Sequence, residues 1–89
     1  MKMNFKLTNH AKEKINQRGI RIEDVEEAIR NPDKKALDRT DERLIHFIKK
    51  FQDRHLRVIV KTDRNDIIVV SAFYDRRLKR RQEHDQNKL

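Results

Sequence analysis

Residues 55–74 read HLRVIVKTDRNDIIVVSAFY, and this stretch decides the fold. Apolar side chains alternate with polar ones from His55 to Thr62, which is the period of a half-buried β-strand. The run from Ile67 to Tyr74 is almost wholly apolar, as expected of a central strand. Because Asp63 to Asp66 forms a polar spacer between the two segments, they predict an antiparallel hairpin.

The chain upstream of this hairpin keeps the same two-residue period. Apolar residues alternate from Arg43 to Phe51, and Gln52 to Arg54 is typical of a turn before the next strand. Lys35 to Thr40 predicts a short edge strand. The sequence therefore predicts a sheet of three or four antiparallel strands that are connected as a meander.

Helical signals fill the N-terminal third of the chain. Thr8 predicts an N-cap, and Gly19, the single glycine of the sequence, stands where the end of a helix needs a left-handed residue. A second helix is predicted from Ile22 to Arg30, and Asn31-Pro32 ends it. We therefore expect an α+β fold in which two N-terminal helices pack on the meander sheet.

The length of 89 residues allows one domain, which we place at residues 1–75. Residues 76–89 read RRLKRRQEHDQNKL and have too few apolar side chains to pack firmly. We expect them to form a basic tail, either a frayed helix or disordered. The cations of this tail are candidate nucleic-acid contacts: Arg76, Arg77, Lys79, Arg80 and Arg81.

The charge of the chain favours an anionic partner. Lys and Arg number 23 against 15 Asp and Glu, which gives a net charge of +8. Such an excess attracts polyanions through counterion release, and we expect RNA before DNA. The chain has no cysteine, no apolar run long enough to span a membrane, and no signal-peptide pattern in Met1 to Leu7. These features predict a cytoplasmic protein without a membrane partner.

Strand alternation also predicts a surface for chemistry. If Thr62 pairs with Ile67, one face of the sheet is nearly all apolar, and the helices should cover it. Cleavage of RNA through its own 2′-hydroxyl needs a base, an acid and cations around the phosphate. The opposite face carries His46, Lys50, Arg57, Lys61 and Tyr74. All but Lys50 are candidate catalytic residues, and Lys50 is a candidate nucleic-acid contact. Each of them is also typical of a solvated strand residue.

His10 is a further candidate. It falls in the first turn of the first helix, where unpaired amide donors favour an anion, although it is also typical of a polar first-turn residue in contact with solvent. This helix should pack on the apolar face, whereas His46 and Arg57 point to the other. A shared site would therefore require the start of the helix to reach around a sheet edge. The histidines have no zinc spacing, so no metal or other cofactor is expected.

Five short motifs resemble a known family. Residues 7–12, 17–20, 24–29 and 31–32 read LTNHAK, QRGI, DVEEAI and NP, and residues 68–72 read IVVSA. Together they resemble domain-of-unknown-function family 4258, a bacterial family, over most of residues 5 to 75. That family looks like part of the barnase, EndoU, colicin and RelE-type fold group, which contains many metal-independent ribonucleases and toxins. The resemblance implies a catalytic role for His10 and a phosphate-binding or structural role for Arg18.

These observations lead to one main hypothesis and two alternatives. The main one is a toxin-like, metal-independent endoribonuclease that is restrained by an acidic antitoxin protein. The first alternative is a non-catalytic RNA- or ribosome-binding module, which needs only the basic charge. The second is a protein that pairs with an acidic partner and has little affinity for RNA.

Overall fold

The structure, a computed structural model, describes residues 5–76. They form five strands and two helices. In chain order these elements are β1 (Phe5–Leu7), α1 (Asn9–Gln17), α2 (Ile22–Arg30), β2 (Lys34–Leu37), β3 (Leu44–Phe51), β4 (Arg54–Asp63) and β5 (Asp66–Tyr74).

The strands form one mixed sheet in the order β1-β5-β4-β3-β2. Strands β2 to β5 pair antiparallel, whereas β1 pairs parallel with β5, with Phe5 opposite Ile67. The prediction of two N-terminal helices on a three- or four-stranded antiparallel meander is therefore wrong. A strand precedes both helices and adds a fifth, parallel member to the sheet. Three residues are too few to display a strand period, so β1 could not be predicted from the pattern of apolar residues.

The ends of α1 are closed by local hydrogen bonds. The Thr8 Oγ1 atom accepts a bond of 3.0 Å from the amide of Ala11, which confirms Thr8 as the N-cap. Gly19 has a φ of 63°. Its amide donates to Asn16 O, and the amide of Ile20 donates to Ile15 O, which is the bonding pattern of a Schellman C-terminus. The predicted role of Gly19 is confirmed.

The hydrophobic core lies between the two helices and one face of the sheet. Helix α2 has the bounds that the sequence predicts, and it buries Val25, Ala28 and Ile29. The largest fully buried side chains are Leu56, Val25, Val58, Val60 and Val69. We call the sheet face that carries this core the helix face, and the opposite one, which carries His46 and Arg57, the open face.

A β-bulge in β5 determines which side chains reach each face. Near the turn the pairing is as predicted, with Thr62 opposite Ile67 and Val60 opposite Val69. Ile59 then pairs with Ser71, so Val70 is the extra residue. Beyond the bulge the alternation is reversed, because a shift of one residue exchanges the two faces.

The bulge moves two aromatic residues relative to the prediction. Tyr74 pairs with Leu56 and packs against the core, whereas Phe73 pairs with Arg57 on the open face. The prediction that Tyr74 lies on the open face is therefore wrong, because regular alternation was carried through a strand that contains a bulge.

We expect Gly19→Ala to lower the free energy of unfolding by about 1 kcal/mol, because an L side chain is disfavoured in the left-handed region. A methyl group there would meet no neighbouring atom within 4 Å, so the cost is conformational. Gly19→Asn is the matched control and should cost less, since Asn tolerates this conformation. Urea denaturation measures both variants, and an equal loss for Ala and Asn would contradict the argument.

Candidate functional site

A cavity of about 430 Å³ opens on the open face of the sheet. It is lined by residues of β2 and the loop after it, by residues of β3 and β4, and by the end of β5 with the residue that follows it. The polar side chains that matter for its chemistry are Lys34, Asp38, Arg39, His46, Arg57 and Asp75. Ile48 and Phe73 also line it, so polar groups stand beside an apolar surface.

Four of these side chains form one hydrogen-bonded series, which we call the polar chain. Asp38 Oδ1 lies 2.7 Å from His46 Nε2, and His46 Nδ1 lies 2.7 Å from Arg57 Nη1. The Nε group of Arg57 then donates to Asp75 Oδ2 at 2.8 Å. The side chains are 12–19% exposed, so these contacts are largely shielded from solvent and weakened little by salt.

Strand pairing brings the polar chain together. His46 pairs with Ile59 and Arg57 with Ile48, so the two are diagonal neighbours on one face. Ala36 of β2 pairs with His46, and Asp38 follows two residues later. Asp75 follows Phe73, the β5 partner of Arg57, in the same way. Backbone pairing thus positions His46 and Arg57 directly, and it positions Asp38 and Asp75 through the paired residues that precede them by two, Ala36 and Phe73.

The hydrogen bonds fix the tautomer of His46. A guanidinium has only donors, so Nδ1 must accept from Arg57 and carries no proton. The proton of the neutral ring therefore lies on Nε2, which donates to the carboxylate of Asp38. This assignment is inferred from the partners of the ring, and it makes His46 a neutral link between an anion and a cation.

Asp38 is strongly stabilised as a carboxylate. The hydrogen bond from His46 is the main cause that lowers its pKa well below the usual value, and bonds from Thr40 and the amide of Asp41 add to the effect. The Thr40 amide and hydroxyl lie 3.0 and 2.8 Å from Asp38 Oδ2. Asp38 therefore remains ionised and holds the loop after β2 in place.

Arg57 keeps hydrogen-bonding capacity for a ligand. It has five N–H donors, and two of them bond to His46 and Asp75. The others make no hydrogen bond to the residues that the structure describes. Lys34 and Arg39 add positive charge to the walls of the cavity. The arrangement can bind an anion at Arg57, and it offers an imidazole at the same place.

Other predicted site residues lie elsewhere. Lys50 and Lys61 are exposed and lie towards opposite ends of the sheet, where Lys50 pairs with His55 and Lys61 with Leu44. Neither lines the cavity. His10 is exposed near the start of α1 and does not line it either. The structure brings His46 and Arg57 together, and it places the other three apart from them.

Arg18 makes structural contacts around a sheet edge. Its Nη1 atom donates to Ala72 O at 2.8 Å, and its guanidinium lies 5.9 Å from the ring centre of Phe73. Because β1 pairs only with Ile67–Val69 of β5, the edge of β5 beyond that range is available to Arg18. This contact satisfies a carbonyl group that a longer β1 would have paired.

The remaining predicted site residues are Tyr74 and the cations of the basic tail. Tyr74 is covered by the guanidinium of Arg54, 3.5 Å from the ring centre. Arg76 is exposed, and Arg77, Lys79, Arg80 and Arg81 lie outside the described residues, as does most of the predicted tail.

Sequence reasoning missed Asp38, Asp75 and Phe73. For Asp38 a signal was present, because it stands two residues after Ala36 and so continues the alternation of the edge strand. No such signal exists for the other two, since their faces depend on the bulge at Val70.

Residues 5–76 contain neither a membrane-spanning helix nor a cluster of metal ligands. No helix in this range is long and apolar enough to cross a membrane. No group of three or more His, Asp or Glu side chains in this range is arranged to hold a metal ion.

We expect Asp38→Asn to weaken the dependence of the free energy of unfolding on pH in acid. In the wild type the depressed pKa of Asp38 means that unfolding takes up a proton in acid, so the free energy of unfolding falls as the pH decreases below about 5. The variant lacks this proton uptake, and its free energy of unfolding should fall less between about pH 5 and pH 2. Urea denaturation at a series of pH values measures the two slopes.

Asp63→Asn is the matched control, because it removes one exposed carboxylate from the far end of β4 with the same change in charge. Equal slopes for the two variants would contradict a special role for the Asp38–His46 bond.

Comparison with known proteins places the chain in a family. No curated protein and no solved structure matches it. A family model described as a domain of unknown function, DUF4258, matches residues 7–74. That range contains Asp38, His46 and Arg57 and ends one residue before Asp75. Because the match covers most of the 89 residues, the chain belongs to the DUF4258 family.

Proposed function

We propose that the chain is a toxin-like endoribonuclease that cleaves RNA through its own 2′-hydroxyl, without a metal ion, at the polar chain. The observation that carries this proposal is the pairing of a neutral His46 with Arg57 inside a cavity of a protein with a net charge of +8. A titratable imidazole beside a fixed cation is what phosphodiester cleavage needs from a protein.

Arg57 is the phosphate-binding residue of this proposal. Asp75 holds its Nε group and His46 its Nη1 group, so the plane of the guanidinium is set before a ligand arrives. Its remaining donors bind the oxygens of the scissile phosphate and stabilise the charge that develops on them in the transition state. Lys34 and Arg39 attract the neighbouring phosphates of the strand.

His46 is the general base. When a phosphate oxygen replaces Nδ1 as the partner of Arg57 Nη1, the lone pair of Nδ1 is released and accepts the proton of the 2′-hydroxyl. The 2′-oxygen then bonds to phosphorus, the bond from phosphorus to the 5′-oxygen breaks, and water protonates the leaving oxygen. The products are a 2′,3′-cyclic phosphate and a 5′-hydroxyl. Asp38 stabilises the imidazolium that forms, through its bond to Nε2.

Restraint by an acidic antitoxin and a cytoplasmic location belong to the same proposal. Lys and Arg exceed Asp and Glu by 8 in this chain, and a partner of opposite charge would associate quickly and cover the basic surface. A free ribonuclease would damage its own cell, which is the reason for a restraining partner.

A second candidate function is a non-catalytic RNA- or ribosome-binding module. The observation that favours it is that both ring nitrogens of His46 already have partners. In this interpretation His46 only positions Arg57, and the chain binds phosphates without cleaving them.

The test is cleavage of end-labelled RNA in EDTA by the wild type, His46→Gln and Arg57→Lys. Gln retains a donor near the position of Nε2 but cannot act as a base, so we expect a loss of rate of at least about 100-fold. Arg57→Lys keeps the charge but not the planar fork of donors, and it should also lower the rate strongly.

Two further variants make the result specific. Lys12→Gln changes an exposed residue of α1 that lies outside the cavity, and it should cleave as the wild type does. His10→Ala tests whether cleavage requires His10 of α1 rather than His46 of the open face. Loss of cleavage in His10→Ala alone would overturn the assignment to His46. Intact RNA with folded wild type, together with salt-dependent binding, would favour the non-catalytic module.

A further inference from the structure

A second cavity, of about 250 Å³, lies at the end of the sheet beside the first one. Its lining residues come from the start of β4 and from the end of β5 and the residues after it: Asp53, Arg54, His55, Tyr74, Asp75 and Arg76. Asp75 lines both cavities, so the two are adjacent.

His55 is the unusual residue of this second cavity. It is buried, with 7% of its surface exposed, and its Nδ1 atom has no hydrogen-bond partner among residues 5–76. Buried polar atoms of native proteins nearly always have a partner, and an apolar side chain would fill the same space without this cost. A polar ligand in this cavity that reaches Nδ1 would supply the missing hydrogen bond.

Arg54 and Tyr74 belong to the helix face, whereas His55 shares the open face with Arg57. All three line this cavity, because it lies around the ends of β4 and β5, and Arg54 and Tyr74 provide it with a planar surface. The guanidinium of Arg54 lies 3.5 Å from the ring centre of Tyr74, and Arg54 is exposed to solvent. Nucleobases stack on aromatic rings and on the planes of guanidinium groups. Stacking surfaces and a hydrogen-bonding group at the base edge are the usual parts of a site for an unpaired base.

The backbone connects this cavity to the polar chain. His55 and Arg57 are two residues apart in β4, about 7 Å along one face of a strand. Asp75 accepts a hydrogen bond from Arg57 Nε, and its amide donates to His55 O at 2.8 Å. A nucleotide whose phosphate lies at Arg57 can therefore place a neighbouring base beside His55.

We propose that the second cavity is a nucleobase subsite, in which His55 bonds to the edge of an unpaired RNA base and the Arg54–Tyr74 pair stacks on it. This inference rests on the proposed function for the identity of its ligand, and it adds that the site distinguishes a base from a bare sugar phosphate.

The experiment compares ribonucleoside 5′-monophosphates with ribose 5-phosphate, which has the same phosphate and no base. Each probe is titrated into the full chain, labelled with ¹⁵N at histidine, and followed by NMR. We expect at least one nucleotide to bind roughly 5- to 100-fold more tightly than ribose 5-phosphate, from stacking alone. The Nδ1 resonance of His55 should shift with the nucleotide and not with the sugar phosphate.

Variants separate the parts of the subsite. His55→Leu should remove the hydrogen bond and reduce the advantage of the nucleotide, whereas His55→Asn keeps a polar atom near the position of Nδ1 and should retain part of it. Arg54→Lys changes only an exposed side chain, keeps its charge and should weaken stacking, so it tests the subsite even where a change at His55 prevents folding. Lys12→Gln is the control outside both cavities and should bind every probe as the wild type does.

Equal affinity for nucleotides and ribose 5-phosphate would overturn the inference, and so would an advantage that survives in both His55→Leu and Arg54→Lys. The two proposals fail separately. RNA cleavage without selective binding of a base removes the subsite and leaves the ribonuclease. Selective binding of a base by a protein that cleaves no RNA supports the subsite and removes the ribonuclease.

Discussion

The pairing of β4 with β5, including the bulge at Val70, is the constraint on which both faces of the sheet depend. Beyond the bulge, Ala72 and Tyr74 face the helices, while Phe73 and Asp75 reach the open side. Without the extra residue the two sets would exchange faces, so Tyr74 would leave the core and Asp75 would leave Arg57. The bulge therefore determines both which side chains of β5 pack in the core and which carboxylate bonds to Arg57.

The polar chain converts this backbone geometry into a preorganised site. A guanidinium that bonds through Nε on one side and Nη1 on the other cannot rotate freely, and its partners are themselves held, Asp38 by Thr40 and His46 by Asp38. Networks of this kind are rigid when every polar group has a hydrogen-bond partner. Loss of one partner leaves a charged group that is poorly solvated. The polar chain therefore has a structural role whether or not His46 transfers protons.

Local signals were enough to predict part of this structure. Thr8 and Gly19 close a helix through bonds to residues three to five positions away, so their roles are visible in the sequence. His46 and Arg57 were expected on one face, and they meet there. The parallel strand β1 was missed because its partner is far along the chain. The bulge was missed because Val70 and Ser71 include neither glycine nor proline to mark it, and Asp75 was missed with it.

The state of His46 bears on how the proposed reaction would be controlled. In the free protein its only unprotonated nitrogen is occupied by Arg57, so the imidazole cannot accept a proton from solvent hydroxyls without losing that bond. A phosphate oxygen is a better partner for a guanidinium than a neutral ring nitrogen, because the bond is then between opposite charges. The arrival of a phosphodiester would therefore displace His46 from Arg57 and create the base in the same step. In the proposed reaction Asp75 would keep its bond to Nε, so the guanidinium would not need to leave its place. Arg57 would then both bind the substrate and keep the base inactive until the substrate is bound.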